Sequence, residues 1–183
     1  VDSISGKGPI LRTAILLLDG WGYNYYRVEN QLRADDLLIR AKICAILGAA
    51  RAHLKALENA YRRTYLPAPT RENPLPDKAA LEQARRLERC GTLIEEVSTA
   101  ILSAATPTND AIWRRHREEK GLLETLQAID VRLTDAAIAL HDLIVEWGAD
   151  AAANPAVEVQ IAEGLAPLRV IVRERAERLT LMI

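Results

Sequence analysis

The apolar residues Val28, Leu32, Ile39, Ile43, Ile46, Ala50, Leu54, Leu57 and Tyr61 follow one another at intervals of three, four or seven. That spacing draws one stripe along a helix of 3.6 residues per turn, and a strand, whose side chains alternate, cannot keep it on a single face. An unbroken helix from about Asn24 to Tyr65 runs roughly 60 Å at 1.5 Å per residue. Gly48 is its one soft point, because glycine in a helix interior loses the most backbone freedom. The helix must stop at Leu66-Pro67, and the stretch from Pro67 to Pro76 holds four prolines, which makes residues 66–77 an extended connection.

Three further helical stripes follow. Asp77 is placed as an N-cap for a helix carrying Leu81, Ala84, Leu87, Ile94, Val97 and Ile101, ended by Ala105-Thr106-Pro107. Thr108 or Asn109 can cap the next, whose stripe is Ile112, His116, Leu123, Leu126, Leu133, Ala137, Leu140, Ile144 and Trp147, with a kink expected at Lys120-Gly121. Gly148 and Asn154-Pro155 mark the last boundary, with Pro155 at the first helical position. Val157, Ile161, Leu165, Leu168, Val172, Leu179 and Met182 continue at helical spacing, bent by Pro167. Val157 to Ile161 also alternates as a strand would.

The segment Pro9 to Leu18 reads as a short helix or a buried strand. With no partner strand evident, a short helix turned by Asp19-Gly20 into the long one is expected, after a small, polar tail over residues 1–8. The expected architecture is all-α: an elongated antiparallel bundle of four long helices plus a short N-terminal helix, one domain over residues 9–183. At 183 residues, a chain buries about 70% of its unfolded surface and needs neither disulfide nor metal to hold a core. Cys44 and Cys90 lie inside helical stripes without the close pairing of a metal or redox motif, so they read as core thiols in a reducing cytoplasm.

Composition narrows the function classes. With 24 Lys+Arg against 25 Asp+Glu and a formal charge of −1, the chain lacks the basic excess that nucleic acid or an anionic membrane requires. No stretch approaches the roughly 18 apolar residues of a membrane span, and no secretory h-region is evident. Arginines do cluster at Arg85-Arg86, at Arg114-Arg115-Arg117 and at Arg173-Arg175-Arg178. Pairs such as Arg114 with Glu118 and Arg173 with Glu177 describe a solvated helix face instead.

The residues richest in recognition chemistry run from Trp21 to Asp36. Trp21, Tyr23, Tyr26 and Arg27 have the composition of an interface anchor, and Asn30, Arg33 and Asp36 follow on the helix. Glu29, Arg33, Asp36 and Arg40 form a charge ladder along one face. Asp36 occupies a position where the apolar stripe expects a hydrophobe, so its carboxylate is either paired with arginine or used for binding. An alternative site in the bundle interior is Asp36 with His116 and Glu119 as metal ligands, although the Glu-x-x-His repeats of di-iron bundles are missing.

Two short motifs carry family resemblances. Ala14-Ile15-Leu16-Leu17-Leu18-Asp19-Gly20-Trp21-Gly22 resembles the opening strand of cofactor-independent phosphoglycerate mutases, which implies a metal-binding role for Asp19 within a large α/β fold. The long helices here point elsewhere, and the residues themselves read as a turn at Asp19-Gly20 and Gly22 with Trp21 packed over it. His141-Asp142 is similar to the paired ligands of the HD phosphohydrolases, a helical metal-dependent class, with His116 preceding it and only Asp150 following. Neither a nucleophile with nearby His and Asp nor a Gly-rich phosphate loop is present. The expectation is a non-enzymatic protein-interaction subunit of accessory, assembly or adaptor type, with no cofactor, a protein partner or a second copy of itself, and Trp21, Tyr23, Tyr26, Arg27, Asn30, Arg33 and Asp36 as the contact surface. The alternative is a helical-bundle enzyme or metal-binding protein using the interior site.

Overall fold

A computed structural model of the chain describes residues 28–71, 74–104 and 119–180, with side chains from Asp36 onward in the first helix and from Thr125 onward in the third. Its elements are α1 (Val28–Tyr65), α2 (Lys78–Leu102), α3 (Glu119–Val145), the short α4 (Ala149–Ala153) and α5 (Val157–Thr180). No strand occurs among the described residues, and the all-α bundle expected from periodicity is what forms. Val157 to Ile161 is helical. The tail over 1–8, the short helix over 9–18 and the Asp19 turn lie outside the described residues, as do His116 and the start expected for the third helix.

Local signals set the helix ends. α1 closes with Leu66 N–H donating to the Arg62 carbonyl at 3.0 Å, one residue before a proline that disfavours further helix. Asp77 caps α2, its carboxylate accepting from the backbone N–H of Ala79 and Ala80. α3 ends at Val145, and Gly148 in extended conformation leads into α4, a turn of helix that the repeat spacing gave no reason to expect. Asn154 Oδ1 accepts from Ala156 N–H at 2.9 Å, so α5 starts at Val157, two residues past the proline expected to open it. Pro167 lies on the exposed face of α5, which continues through it.

Two antiparallel hairpins make the bundle. In the first, Cys44 faces Ser98, Arg51 faces Glu95 and Arg62 faces Glu88. In the second, Arg132 faces Glu174 and Leu140 meets Gly164. A β-carbon on Gly164 would lie 2.7 Å from Leu140 Cδ1, so glycine is what lets α3 and α5 approach at that level. α1 packs on α2 and α3, and α5 packs on the same two, which leaves α1 diagonal to α5. Gln83 beside Asn154, just ahead of α5, and Arg89 opposite Glu158 ascend together along both segments, so α2 and α5 run in the same direction. Neighbours are therefore antiparallel within each hairpin and parallel between hairpins.

The core is aliphatic: Ile43, Leu47, Leu54, Leu87, Ile94, Leu133, Leu140, Ile144, Ile161, Leu165 and Leu168 are all essentially inaccessible. Cys90 is buried among them, Cys44 is half-buried, and both are free thiols, as their positions in the stripes imply. Burial pushes the Cys90 thiol up to about 11, which makes it inert as a nucleophile.

Candidate functional site

Charged groups collect inside the bundle at the end where α1 begins and α2 and α5 finish. Asp36 and Arg40 of α1, Asp130 of α3 and Arg175 of α5 are each more than nine-tenths buried. Asp36 and Arg40 are one helical turn apart, and Arg40 Nη2 donates to Asp36 Oδ2 at 2.8 Å. Arg175 Nη2 donates to Asp36 Oδ1 from the diagonal helix. Both oxygens of Asp36 therefore accept from guanidinium groups, the partnership that a carboxylate on an apolar stripe requires. The other arm of Arg40 reaches the end of α2, where Nη1 donates to the carbonyls of Ile101, Leu102 and Ala104. Carbonyls in the last turn of a helix have no intrahelical donor and carry the negative end of the helix dipole, so a buried cation is well placed there.

Asp130 completes the cluster on different terms. Arg175 Nε lies 3.7 Å from its Oδ1, too far for a hydrogen bond, and that buried oxygen accepts none. Burial pushes the Asp130 carboxyl up to about 7, with the nearby Asp36 carboxylate adding to the rise and Arg175 and Arg40 opposing it. Thr134 secures the helix backbone here, its hydroxyl donating to the Asp130 carbonyl at 2.8 Å.

A second polar network occupies the opposite half of the α1/α2 seam. Glu58 is 2% exposed and accepts from Lys55 and Arg62, each at 2.6 Å. Burial pushes its carboxyl up, but the hydrogen bonds and charges of Lys55 and Arg62 outweigh that and hold it below the usual glutamate value. A groove of about 460 Å³ runs beside it, lined by Gly48, Arg51, Lys55, Glu88, Gly91 and Thr92 among others. Its cations are already engaged, Arg51 with Glu95 at 2.6 Å and Lys55 with Glu58. Buried Gln83 donates to the carbonyls of Ala152 and Asn154, tying α4 to α2.

Of the residues singled out in the sequence, Asp36 lies at the centre of the buried cluster, paired with two arginines, which is one of the two outcomes that its position left open. Asn30 and Arg33 fall within α1 and Glu119 opens α3, but their side chains, together with Trp21, Tyr23, Tyr26, Arg27 and His116, lie outside the described residues. A metal on Asp36 would have to displace two guanidinium groups, and no group of three metal-ligating side chains occurs among the described residues. His141 and Asp142 pair with each other at 3.0 Å, both part-exposed. Arg175 corrects the reading of residues 173–178 as a wholly solvated face: it is 1% exposed, and Glu174 pairs across to Arg132 at 2.8 Å. Asp130 was missed as well. The signal for both is positional, since Asp130 stands four after Leu126 and Arg175 seven after Leu168, each on its own apolar stripe.

Comparison with protein-family models, with curated proteins and with solved structures finds no match to this chain.

Proposed function

We propose that the protein is a non-enzymatic interaction subunit that binds another protein at the end of the bundle holding the charge cluster. The observation that carries this is a pair of exposed leucines. Leu37 is 53% exposed on α1 and Leu102 is 59% exposed at the end of α2, where the Arg40 side chain of α1 donates to the Leu102 carbonyl. Large aliphatic side chains left in water at one level of two adjacent helices favour a partner that covers them. The Trp21 to Arg27 segment joins α1 nine residues or so before Leu37, so its aromatic residues belong to the same proposed surface. No helix among the described residues is long and apolar enough to cross a membrane. The near-neutral composition and free thiols support a protein partner, or a second copy, in a reducing compartment.

The test is site-directed photo-cross-linking. A photoreactive residue at Leu37 or Leu102 should yield one discrete adduct, absent when the probe sits at Ala139 on the outer face of α3. Replacing Tyr26 and Arg27 together should weaken the adduct while leaving helicity intact. Equal labelling at all three positions overturns the proposal, as does a stoichiometric metal in native mass spectrometry that disappears on Asp36→Asn.

A further inference from the structure

A buried guanidinium ties α1 to α5 across the diagonal of the bundle. These helices face each other through the core, each packed on α2 and α3, and Arg175 bridges them by donating to Asp36. Asp130 approaches the same guanidinium from α3, at 3.7 Å from Nε, with its Oδ1 buried and accepting no hydrogen bond. We propose that Asp130 is a proton-controlled clasp: uncharged, it leaves Arg175 closed on Asp36 and α5 locked to α1; ionised, it competes for that guanidinium and loosens this end of the bundle.

Each neighbouring element supports the assignment. From α1, the Asp36 carboxylate repels a second negative charge, while Arg40 is committed to Asp36 and to the α2 carbonyls. From α2, those carbonyls present the negative end of a helix dipole, offsetting the Arg40 charge. From α5, Arg175 brings a guanidinium to Asp130 while its Nη2 donates to Asp36. On α3 itself the Thr134 hydroxyl serves the Asp130 carbonyl, not its carboxyl, and the Arg132–Glu174 pair lies on the half-exposed outer side of the α3/α5 seam. A carboxyl whose buried Oδ1 receives no hydrogen bond favours its neutral form, in keeping with the burial that pushes it up to about 7. On ionisation the proton passes to solvent. His53 and His141 stand 17 residues from Asp36 and 11 from Asp130 along their helices, roughly 25 and 16 Å by helix rise.

Amide hydrogen exchange of the full chain at pH 5.5 and 7.5, corrected for the intrinsic chemical rate, tests this. Opening gains up to about tenfold per pH unit where the closed form holds a proton that the open form releases. The expected result is at least about tenfold more frequent opening of residues 126–134 and 168–178 at pH 7.5, with residues 47–61 unchanged, and a loss of that difference in Asp130→Asn. Equal opening of the wild-type protein at both pH values overturns the clasp, and so does a pH difference that persists in Asp130→Asn. Should that variant fail to fold, the Asp130 carboxyl carbon shift in the unaltered protein reads the same property. A midpoint above pH 6 supports the clasp and one below it overturns it.

Discussion

Asp36 and Asp130 are the same residue type at similar depth, yet their partners set them opposite tasks. Asp36 accepts from two arginines, so removing it takes from both buried cations the carboxylate that they share. Asp36→Ala should cost about 3–5 kcal/mol in chemical denaturation, and Arg175→Ala a comparable amount. Asp130 contributes to pH dependence instead. Its folded pKa of about 7 lies above the ordinary 3.8, so the native state binds the proton more tightly than the unfolded chain does. The stability this group supplies is complete below about pH 4 and is lost as the pH rises toward 7, by up to roughly 1.4 kcal/mol per unit. Glu58 has the opposite sign. Held below its ordinary 4.5 by Lys55 and Arg62, it supports the fold above that value and ceases to as the pH falls further. Urea titrations from pH 3 to 8 should therefore show stability falling between about pH 4 and 7, and Asp130→Asn should remove that slope while leaving the acid limb in place.

At the scale of the helices, two glycines in similar sequence settings should respond in opposite ways. Nothing lies within 4 Å of a β-carbon built on Gly48, whereas one on Gly164 would meet Leu140 at 2.7 Å. Gly48→Ala should stabilise the protein by about 0.5–1 kcal/mol, the propensity difference in an exposed helix interior. Gly164→Ala should destabilise it, because Leu140 is itself fully buried and has to shift within the packed core to admit the methyl group. Thermal unfolding of the two variants distinguishes them. Asp77→Ala should cost about 1 kcal/mol through loss of two backbone hydrogen bonds at the start of α2. Helix ends of this kind were legible beforehand, since Asp77 and Leu66-Pro67 act through residues within four positions. α4 was not, because its short run of alanines carries no stripe.

For the molecule as a whole, the buried ions fix how the hairpins meet. Leucine and isoleucine contacts are non-directional and tolerate repacking, whereas Arg175 reaches Asp36 on one hairpin and Asp130 on the other at this register. Replacing the set with Asp36→Leu, Asp130→Leu and Arg175→Met should leave the protein more stable to heat than Asp36→Ala, since no ion loses its partner except Arg40, which keeps the α2 carbonyls. The cost should appear as lost uniqueness, read as broadened or doubled amide resonances in α3 and α5. By contrast, Leu133→Ala in the same end of the core should cost about 2–5 kcal/mol and leave a single set of resonances.

By itself the sequence determined where the helices lie and which face of each turns inward, because periodicity and capping act within one helix. Asp36 could even be recognised as a carboxylate either paired with arginine or used for binding, and Arg40 sits one turn away. The tertiary structure alone decided that Arg175, 139 residues distant, is the second partner, that Asp130 is left without a hydrogen bond on its buried oxygen, and that α3 lies beside α1 in parallel. A stripe records orientation about its own axis. It carries no information on which other stripe covers it or at what height, and the meeting of these four buried side chains depends on both.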